Sequence, residues 1–297
     1  MVGKTLTLSR ATPLMQRGGI LIVITAAVLF SSLIIFVRHI TGLNALSITF
    51  YRFTFAFLLL CATLLWDRSP LLHWRDYKQY TPLLILLGLV MVFCAIFYAF
   101  AIRHIPAAAA ALLVNTSPIF VAIFSPFVLK EVRPRFTWIS LAVATVGLVL
   151  VTGLLEIGID QIDLMGVVAA MGAGLLYTIP LFIGRKLKGQ VNPRIQALFG
   201  MGMGALLLLP FAISTLPVAV PQMGLLIPMG ILSLGIPYLL IFVSLNHVSA
   251  QTASVGMLGE PVSGVLIGFL IFGEALTVAG WIGCALILGA IALISVE

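Results

Sequence analysis

Long apolar runs separated by short polar breaks make up most of the chain. A helix needs about 20 apolar residues to cross a hydrocarbon core about 30 Å thick. Ten runs have a length of this order, and each is predicted to be a membrane-spanning helix. The chain is therefore predicted to be an all-α integral membrane protein. The ten predicted spans are Gly19–Val37, Asn44–Trp66, Thr81–Ile102, Ala107–Leu129, Phe136–Gly153, Leu164–Gly184, Asn192–Ile213, Gln222–Val243, Gln251–Phe272 and Leu276–Ser295.

Composition supports this prediction and argues against other classes of protein. Hydrophobic residues make up 62% of the chain, charged residues 8%, and the mean hydropathy is +1.22. These values lie outside the range of soluble globular domains. The net charge is +7, but Lys and Arg lie between apolar runs and form no basic stripe, so no nucleic-acid partner is predicted. The three cysteines lie within apolar runs, as packing residues do, and predict neither a disulfide framework nor a metal site.

The distribution of basic residues predicts the orientation of the chain in the membrane. Cytoplasmic loops of membrane proteins are enriched in Lys and Arg. With a cytoplasmic amino terminus, thirteen of the sixteen bases lie on the cytoplasmic side, Arg38 and Arg103 lie outside, and Arg52 lies within a span. Residues 1–18 are then a cytoplasmic segment, residues 154–163 an acidic external linker, and both termini are cytoplasmic in a multi-pass protein of the cell inner membrane. The thirteen bases are Lys4, Arg10, Arg17, Arg68, Arg75, Lys78, Lys130, Arg133, Arg135, Arg185, Lys186, Lys188 and Arg194.

An internal repeat predicts the architecture. Residues 103–151 align without a gap with residues 246–294 at a constant offset of 143. A weaker match relates the first predicted span to the sixth at an offset of 147, pairing Arg38 with Arg185. The chain is thus predicted to contain two five-helix repeats, 19–153 and 164–297. Because five is odd, the repeats have inverted topology, an arrangement that places a binding site near the membrane midplane and suits alternating access.

The chain lacks the sequence motifs that are typical of other classes of membrane protein. No phosphate-binding G-x-x-x-x-G-K-[ST] loop is present, which argues against direct use of ATP. No H-E-x-x-H or G-x-S-x-G motif and no carboxylate pair supports an integral membrane enzyme, so the protein is predicted not to be an enzyme. A receptor or scaffold would leave the inverted repeat unexplained. A transporter without cofactor or metal is the favoured interpretation.

Short motifs recur in the two halves, and another lies in the second predicted span. They are Ser117-Pro118, Lys130-Glu131, Trp138 and Gly147 in the first half, Glu260-Pro261, Gly273-Glu274, Trp281 and Gly289 in the second, and Tyr51-Arg52-Phe53. In these motifs the chain resembles the ten-helix, EamA-type members of the drug/metabolite transporter superfamily. The resemblance implies two bundles of five helices, no cofactor, and amino acids, metabolites or drugs as substrates. The chain is most similar to YddG-type exporters, which implies export of aromatic and other neutral amino acids.

One base and one acid lie deep within predicted spans. Arg52 lies about 12 Å inside its span at 1.5 Å per residue, where an arginine costs about 2.5–3.5 kcal/mol at the bilayer centre. It could bind a substrate carboxylate, or it could snorkel or bind helix-end carbonyls. Glu260 could bind a substrate ammonium, carry a proton, or remain a protonated packing element. Its repeat partner Ser117 is near Asn115, so both halves place polar groups beside a proline.

Tyr98, Tyr177 and Tyr238 complete the predicted substrate site, which also includes Arg52, Asn115 and Glu260. Tyrosines of this kind either line an amphipathic pocket or fill the core and the membrane interface. Together with one deep base and one deep acid, they favour a zwitterionic, partly apolar ligand. The predicted function is export of aromatic and other neutral amino acids and related metabolites. The alternatives are export of a drug or another metabolite and, less favoured, an integral membrane enzyme.

Other polar and small residues are given structural roles. Glu131 and Glu274 lie where one span ends and the next begins, and are predicted to cap the following helix. Gly200 with Gly204 has G-x-x-x-G spacing, which favours close packing within the protomer and hence a monomer rather than a dimer. Membrane lipid and a small-molecule substrate are the predicted partners.

Overall fold

The computed structural model describes residues 13–67, 74–153, 163–213 and 215–295, and every regular element in these ranges is helical. The predicted amino-terminal segment lies outside the described residues up to residue 12, and so does the predicted external linker except for Asp163. In the first half the α-helices are α1 Pro13–Ser31, α2 Leu33–Val37, α3 Ala45–Trp66, α4 Trp74–Tyr77, α5 Thr81–His104, α6 Ala107–Val114, α7 Ser117–Val128 and α8 Thr137–Thr152.

The second half contains a similar succession of helices and one π-helical segment, Ile231–Gly235, which continues directly into the helix after it. Its α-helices are α9 Leu164–Lys186, α10 Pro193–Leu207, α11 Leu209–Ile213, α12 Leu216–Ala219, α13 Met223–Gly230, α14 Ile236–Ser244, α15 Ala250–Gly256, α16 Gly259–Phe272 and α17 Val278–Ser295.

The helices confirm a multi-pass membrane protein. Within the described ranges, eight helical segments are long and apolar enough to cross a membrane. The fifth predicted span is a shorter apolar helix of 16 residues, α8. The seventh is divided into α10 and α11, of 15 and 5 residues. The total of ten spans stays a prediction.

Two helices are interrupted at positions related by the repeat. α6 and α15 begin at Ala107 and Ala250, which differ by the offset of 143, and each helix stops about eight residues later before a new one begins. Pro118 and Pro261 explain the interruptions, because proline donates no backbone hydrogen bond and leaves a carbonyl of the preceding turn unpaired. A glycine, Gly174 of α9, packs against the first interruption, where a Cβ would lie 3.0 Å from two carbonyl oxygens.

The contacts of α1 and α9 show that these two helices run in opposite directions. Gly19, at the start of α1, packs against His247 and Val248. Arg185, at the end of α9, donates to the carbonyl of Leu245 in the same connection. The start of α1 therefore lies beside the end of α9. We call this side of the helix bundle the Arg185 end and the opposite side, where α2 finishes beside Arg38, the Arg38 end.

Two structural roles predicted from the sequence have different outcomes. Gly204 of α10 packs against the ring of Phe53 on α3, so its small size does serve packing within the chain. The capping prediction for the two glutamates is wrong. Glu131 pairs with Arg185 and accepts a hydrogen bond from the amide of Ala250, and Glu274 pairs with Arg38, because each carboxylate reaches a neighbouring helix rather than the next one in the chain.

Candidate functional site

Five polar side chains from five helices form one electrostatically connected cluster deep in the bundle. The guanidinium of Arg52 lies within electrostatic range of the carboxylate of Glu260 and of the hydroxyls of Tyr98 and Tyr238. Tyr177 joins the cluster through Tyr238 and Glu260. These residues come from α3, α5, α9, α14 and α16. Five of the six residues predicted from the sequence are thus brought together from both halves of the chain.

Arg52 is held in place by the π-helical segment. Its Nη2 donates to the carbonyl oxygen of Ser233 at 2.8 Å, and its Nε donates to the Ser233 hydroxyl at 3.2 Å. That hydroxyl in turn donates to the carbonyl of Met229 at 2.6 Å. The bidentate contact fixes the plane of the guanidinium, since the arginine donors form a rigid fork. The remaining donors have no hydrogen-bond partner among the described residues and are available to a ligand.

The local sequence explains why the Ser233 carbonyl can accept this bond. Pro237 has no N–H, so the carbonyl of Ser233, four residues earlier, has no α-helical donor. Gly230 and Gly235, on either side of Ser233, bring this segment against α3. A Cβ on Gly230 would lie 2.9 Å from the Arg52 carbonyl oxygen, and one on Gly235 would lie 3.1 Å from the Cα of Ala56. Glycine and proline together therefore place an acceptor beside Arg52.

Glu260 lies in the first turn of α16, directly after the interruption of the ninth predicted span. Its amide donates to the carbonyl of Met257 at 2.9 Å, which closes a tight turn before the proline. Among the described residues, no N–O distance of 4.0 Å or less joins Arg52 and Glu260 as an ion pair. Both side chains are half-buried. The two opposite charges thus face accessible space without neutralising each other directly.

The three tyrosines differ in exposure around the charged pair. Tyr238 is buried, with Phe30 of α1 edge-on at a centroid distance of 5.2 Å. Tyr177 is half-buried, and Tyr98 is exposed over 36% of its surface. An aromatic ring with one hydroxyl can cover apolar atoms and still make a hydrogen bond. The site can therefore surround a ligand that is charged at one part and apolar at another.

Asn115 lies apart from this cluster. Its Nδ2 donates to the carbonyl of Ala111 at 2.9 Å, at the end of α6. It lines a separate small cavity beside α8, together with apolar residues such as Leu141 and Leu148. Among the described residues, no hydrogen bond joins Asn115 to Arg52 or Glu260.

Sequence reasoning missed Ser233 and Cys94. Ser233 looks like an ordinary small residue in an apolar span, and the only signal for its role is the proline four positions later. Cys94, predicted to be a packing residue, lies within electrostatic range of the hydroxyls of Tyr177 and Tyr238. Its Sγ donates to the carbonyl of Ala173 at 3.3 Å, so the thiol is ordered beside the site.

A model of one protein family, described as the EamA-like transporter family, matches residues 17–153 and again residues 164–296. The chain belongs to the EamA-like transporter family. This confirms the family resemblance and the assignment to transporters. The two matched ranges adjoin the linker predicted near residues 154–163.

Curated relatives of this EamA-like transporter are named as transporters and exporters. An uncharacterized transporter of Archaeoglobus fulgidus is 27% identical over 277 residues, covering 93% of this chain and 96% of the relative. The pseudopaline exporter CntI of Pseudomonas aeruginosa is 27% identical with the same coverage. The threonine/homoserine exporter RhtA of Escherichia coli is 30% identical over 182 residues, which cover 60% of this chain and 58% of the relative.

A solved crystal structure has the same fold as this EamA-like transporter. It superposes with a TM-score of 0.79 at 20% sequence identity, covering 93% of this chain and 96% of the other. The arrangement of helices is therefore shared with a known protein over nearly the whole length.

Proposed function

We propose that this EamA-like transporter exports amino acids and related small zwitterionic metabolites across the cell inner membrane by alternating access. The observation that supports this most directly is the pair of opposite charges, Arg52 and Glu260, which share one deep site and are not in contact as an ion pair. A zwitterion carries the complement of both charges. Opposite charges placed on a buried ligand site give orientation and selectivity.

The site chemistry assigns each group a role. The unpaired donors of Arg52 bind the substrate carboxylate, an arrangement suited to the planar guanidinium. The Glu260 carboxylate accepts hydrogen bonds from the substrate ammonium. Tyr98, Tyr177 and Tyr238 surround the rest of the ligand with ring faces and hydroxyls, which favours neutral side chains, aromatic ones included.

Several features support alternating access. α1 and α9, which correspond at an offset of 147, run in opposite directions, and the family model matches each half separately. Inverted repeats place a site at their interface and expose it to one side at a time. The excess of basic residues supports a cytoplasmic location for the Arg185 end and for both termini.

The relatives define two candidate substrate groups. The threonine/homoserine exporter supports a neutral amino acid, and the resemblance to YddG-type exporters is the basis for including aromatic ones. The pseudopaline exporter aligns over 93% of the chain, more than the 60% aligned with the threonine/homoserine exporter, which favours a related metabolite as the second candidate.

The decisive experiment is a flux assay on purified protein in liposomes. Vesicles loaded with one amino acid are tested for exchange against a panel of radiolabelled neutral and aromatic amino acids. Tryptophan is compared with tryptamine, which lacks the carboxylate, and with indole propionate, which lacks the ammonium. We expect tryptophan to compete and both analogues to fail. Competition by tryptamine alone would instead favour a cationic drug as substrate, and absence of flux for every amino acid would reject the proposal.

A further inference from the structure

Two ion pairs lie at opposite ends of the bundle and are related by the internal repeat. At the Arg185 end, Arg185 of α9 pairs with Glu131, which follows α7. At the Arg38 end, Arg38 pairs with Glu274, which follows α16. The two arginines correspond at an offset of 147 and the two glutamates at an offset of 143. The same pair of charges therefore occurs once in each orientation.

The pair at the Arg185 end joins the two halves of the chain, and both of its partners also bind one connection of the second half. Arg185 Nη1 donates to the carbonyl of Leu245 at 2.7 Å, and Glu131 Oε2 accepts from the amide of Ala250 at 3.3 Å. Leu245 and Ala250 bound the connection between α14 and α15. Both partners of the ion pair thus hold this connection, one through a carbonyl and one through an amide.

Apolar packing closes the same end. A Cβ on Gly184, next to Arg185, would lie 2.8 Å from the side chains of Leu245 and Phe242, so glycine permits the closest approach here. Leu245 and Phe242 are almost fully buried. The Arg185 and Glu131 side chains retain only 17% and 18% of their exposure. The Arg185 end is therefore tightly closed.

Among the described residues, the hydrogen bonds to the connection and the Gly184 packing have no equivalents at the Arg38 end, although Gly166 at the start of α9 packs against His104 and Ile105 there. The repeat partners of Leu245 and Ala250 are Ile102, in the last turn of α5, and Ala107, the first residue of α6. Within the described residues, the only hydrogen-bond partner of the Arg38 guanidinium is Glu274, and the guanidinium lies over the ring of Phe272. The Arg38 and Glu274 side chains are 38% and 49% exposed.

Val37, the repeat partner of Gly184, shows the same asymmetry, since it is 39% exposed where Gly184 is buried. The two ends therefore contain matching groups in two different arrangements. One end is docked onto the connection that faces it, and the other is not.

We propose that the two ion pairs are alternating latches, each of which closes its own end by binding the connection that faces it. In the opposite state, Arg38 donates to the carbonyl of Ile102 and Glu274 accepts from the amide of Ala107, while Arg185 and Glu131 release Leu245 and Ala250. This inference rests on the alternating access of the proposed function. It assigns the structure to the state that is closed at the Arg185 end.

The latches bias the equilibrium because each set of hydrogen bonds exists in only one of the two states. An interaction shifts a conformational equilibrium only to the extent that it differs between the states. Weakening the Arg185–Glu131 latch therefore favours opening of the Arg185 end, and weakening the Arg38–Glu274 latch favours opening of the Arg38 end.

Two cysteine pairs report on the ends in a protein whose Cys61, Cys94 and Cys284 are replaced by alanine. One pair combines Gly184→Cys with Leu245→Cys, and its repeat counterpart combines Val37→Cys with Ile102→Cys. A short thiol-specific cross-linker is applied to the purified protein in liposomes without substrate. We expect fast cross-linking of the first pair and slow cross-linking of the second.

The glutamate variants should shift the two rates in opposite directions. Glu131→Gln should slow the first pair and speed the second by at least about threefold each, and Glu274→Gln should do the reverse. Equal effects of both variants, or no effect, would overturn the latch. If the cysteine pair at Gly184 disturbs folding, labelling of the single variant Val37→Cys by a membrane-impermeant thiol reagent gives the same comparison, with faster labelling expected in Glu274→Gln than in Glu131→Gln.

A charge exchange separates the latch from a simple tie between α7 and α9. In Glu131→Arg combined with Arg185→Glu the ion pair can re-form, but a carboxylate cannot donate to the Leu245 carbonyl and a guanidinium cannot accept from the Ala250 amide. We expect normal abundance in the membrane and slow cross-linking of the first pair. Full recovery of the wild-type rate would show that the ion pair only ties α7 to α9 and does not act through the connection between α14 and α15.

The cross-linking assay and the flux assay fail independently. Cross-linking needs no substrate. Opposite shifts of the two cross-linking rates without any amino-acid flux would therefore support the latches and reject the proposed substrate. Amino-acid flux together with cross-linking rates that the glutamate variants leave unchanged would support the proposed function and reject the latches.

Discussion

Replacing Gly230 by alanine tests whether close packing against α3 positions Arg52. The new Cβ would lie 2.7 Å from the Cβ of Phe55, 2.9 Å from the carbonyl oxygen of Arg52 and 3.3 Å from that of Tyr51. Ordinary contact begins at 3.4 Å, and a backbone carbonyl cannot rotate away as a side chain can. The two segments must therefore separate by about 0.5–0.7 Å, which is the kind of overpacking that costs about 1–3 kcal/mol.

This displacement is large compared with the contacts of Arg52. With this displacement added, the 3.2 Å distance between Nε and the Ser233 hydroxyl exceeds the range of a hydrogen bond. The 2.8 Å bond to the Ser233 carbonyl lengthens to the limit of that range. A hydrogen bond to a charged group contributes about 1.5–3 kcal/mol. We therefore expect the KM for a zwitterionic substrate to rise by about tenfold or more, with a lower melting temperature.

The control is Gly224→Ala on the same helix, where a Cβ would meet nothing within 4 Å. Alanine is the better helix former by about 1 kcal/mol, so this variant should be as stable as the wild type or slightly more so. Flux in liposomes gives KM, and tryptophan fluorescence in detergent gives the melting temperature. If Gly230→Ala keeps the KM and melting temperature of Gly224→Ala, the packing does not position Arg52.

Three further predictions follow from the site and the topology. Arg52→Leu should abolish flux while the amount of protein in the membrane, measured by immunoblot, stays near normal. Arg52→Lys should restore little flux because lysine cannot bind Ser233 in a bidentate manner. If only the amount of protein falls, Arg52 has a structural role. Glu260→Gln keeps the size of the side chain but removes its charge, so substrate binding, measured by calorimetry, should weaken. Intact binding together with flux that no longer depends on a pH gradient would indicate that Glu260 carries a proton. If neither binding nor flux changes, Glu260 is a packing residue. Cysteines introduced at Lys186 and Arg103 should react with an impermeant thiol reagent from the cytoplasmic and the external side respectively, and reaction from one side would refute the inverted topology.

Much of the fold could be predicted because a membrane leaves the backbone few options. Without water in the hydrocarbon core, a spanning segment must satisfy its N–H and C=O groups internally, so an apolar run of about 20 residues forms a helix. The same constraint made the deep charges Arg52 and Glu260 conspicuous. The apolar pattern did not predict that prolines divide some of the spans into two helices, as they do in α6–α7 and α15–α16.

The candidate site was predictable as a set of residues but not as an arrangement. Rare polar groups stand out in apolar spans, which is why the sequence identified five residues that the structure brings together. Ser233 did not stand out, because its role depends on a carbonyl that Pro237 leaves without an α-helical donor and on glycines that let α3 pack closely against this segment. Asn115 was chosen for its position in the repeat, yet its side chain bonds to the preceding turn of its own helix.

The sequence by itself determined where helices form, which charges lie deep and which positions correspond in the two halves, because these depend on local composition and on an offset along the chain. Only the tertiary structure decided what each corresponding group contacts. Arg38 and Arg185 occupy equivalent positions and pair with equivalent glutamates, yet only Arg185 reaches the connection that faces it. A repeated sequence specifies two equivalent sets of partners, and only the packing of the whole bundle selects which set is joined.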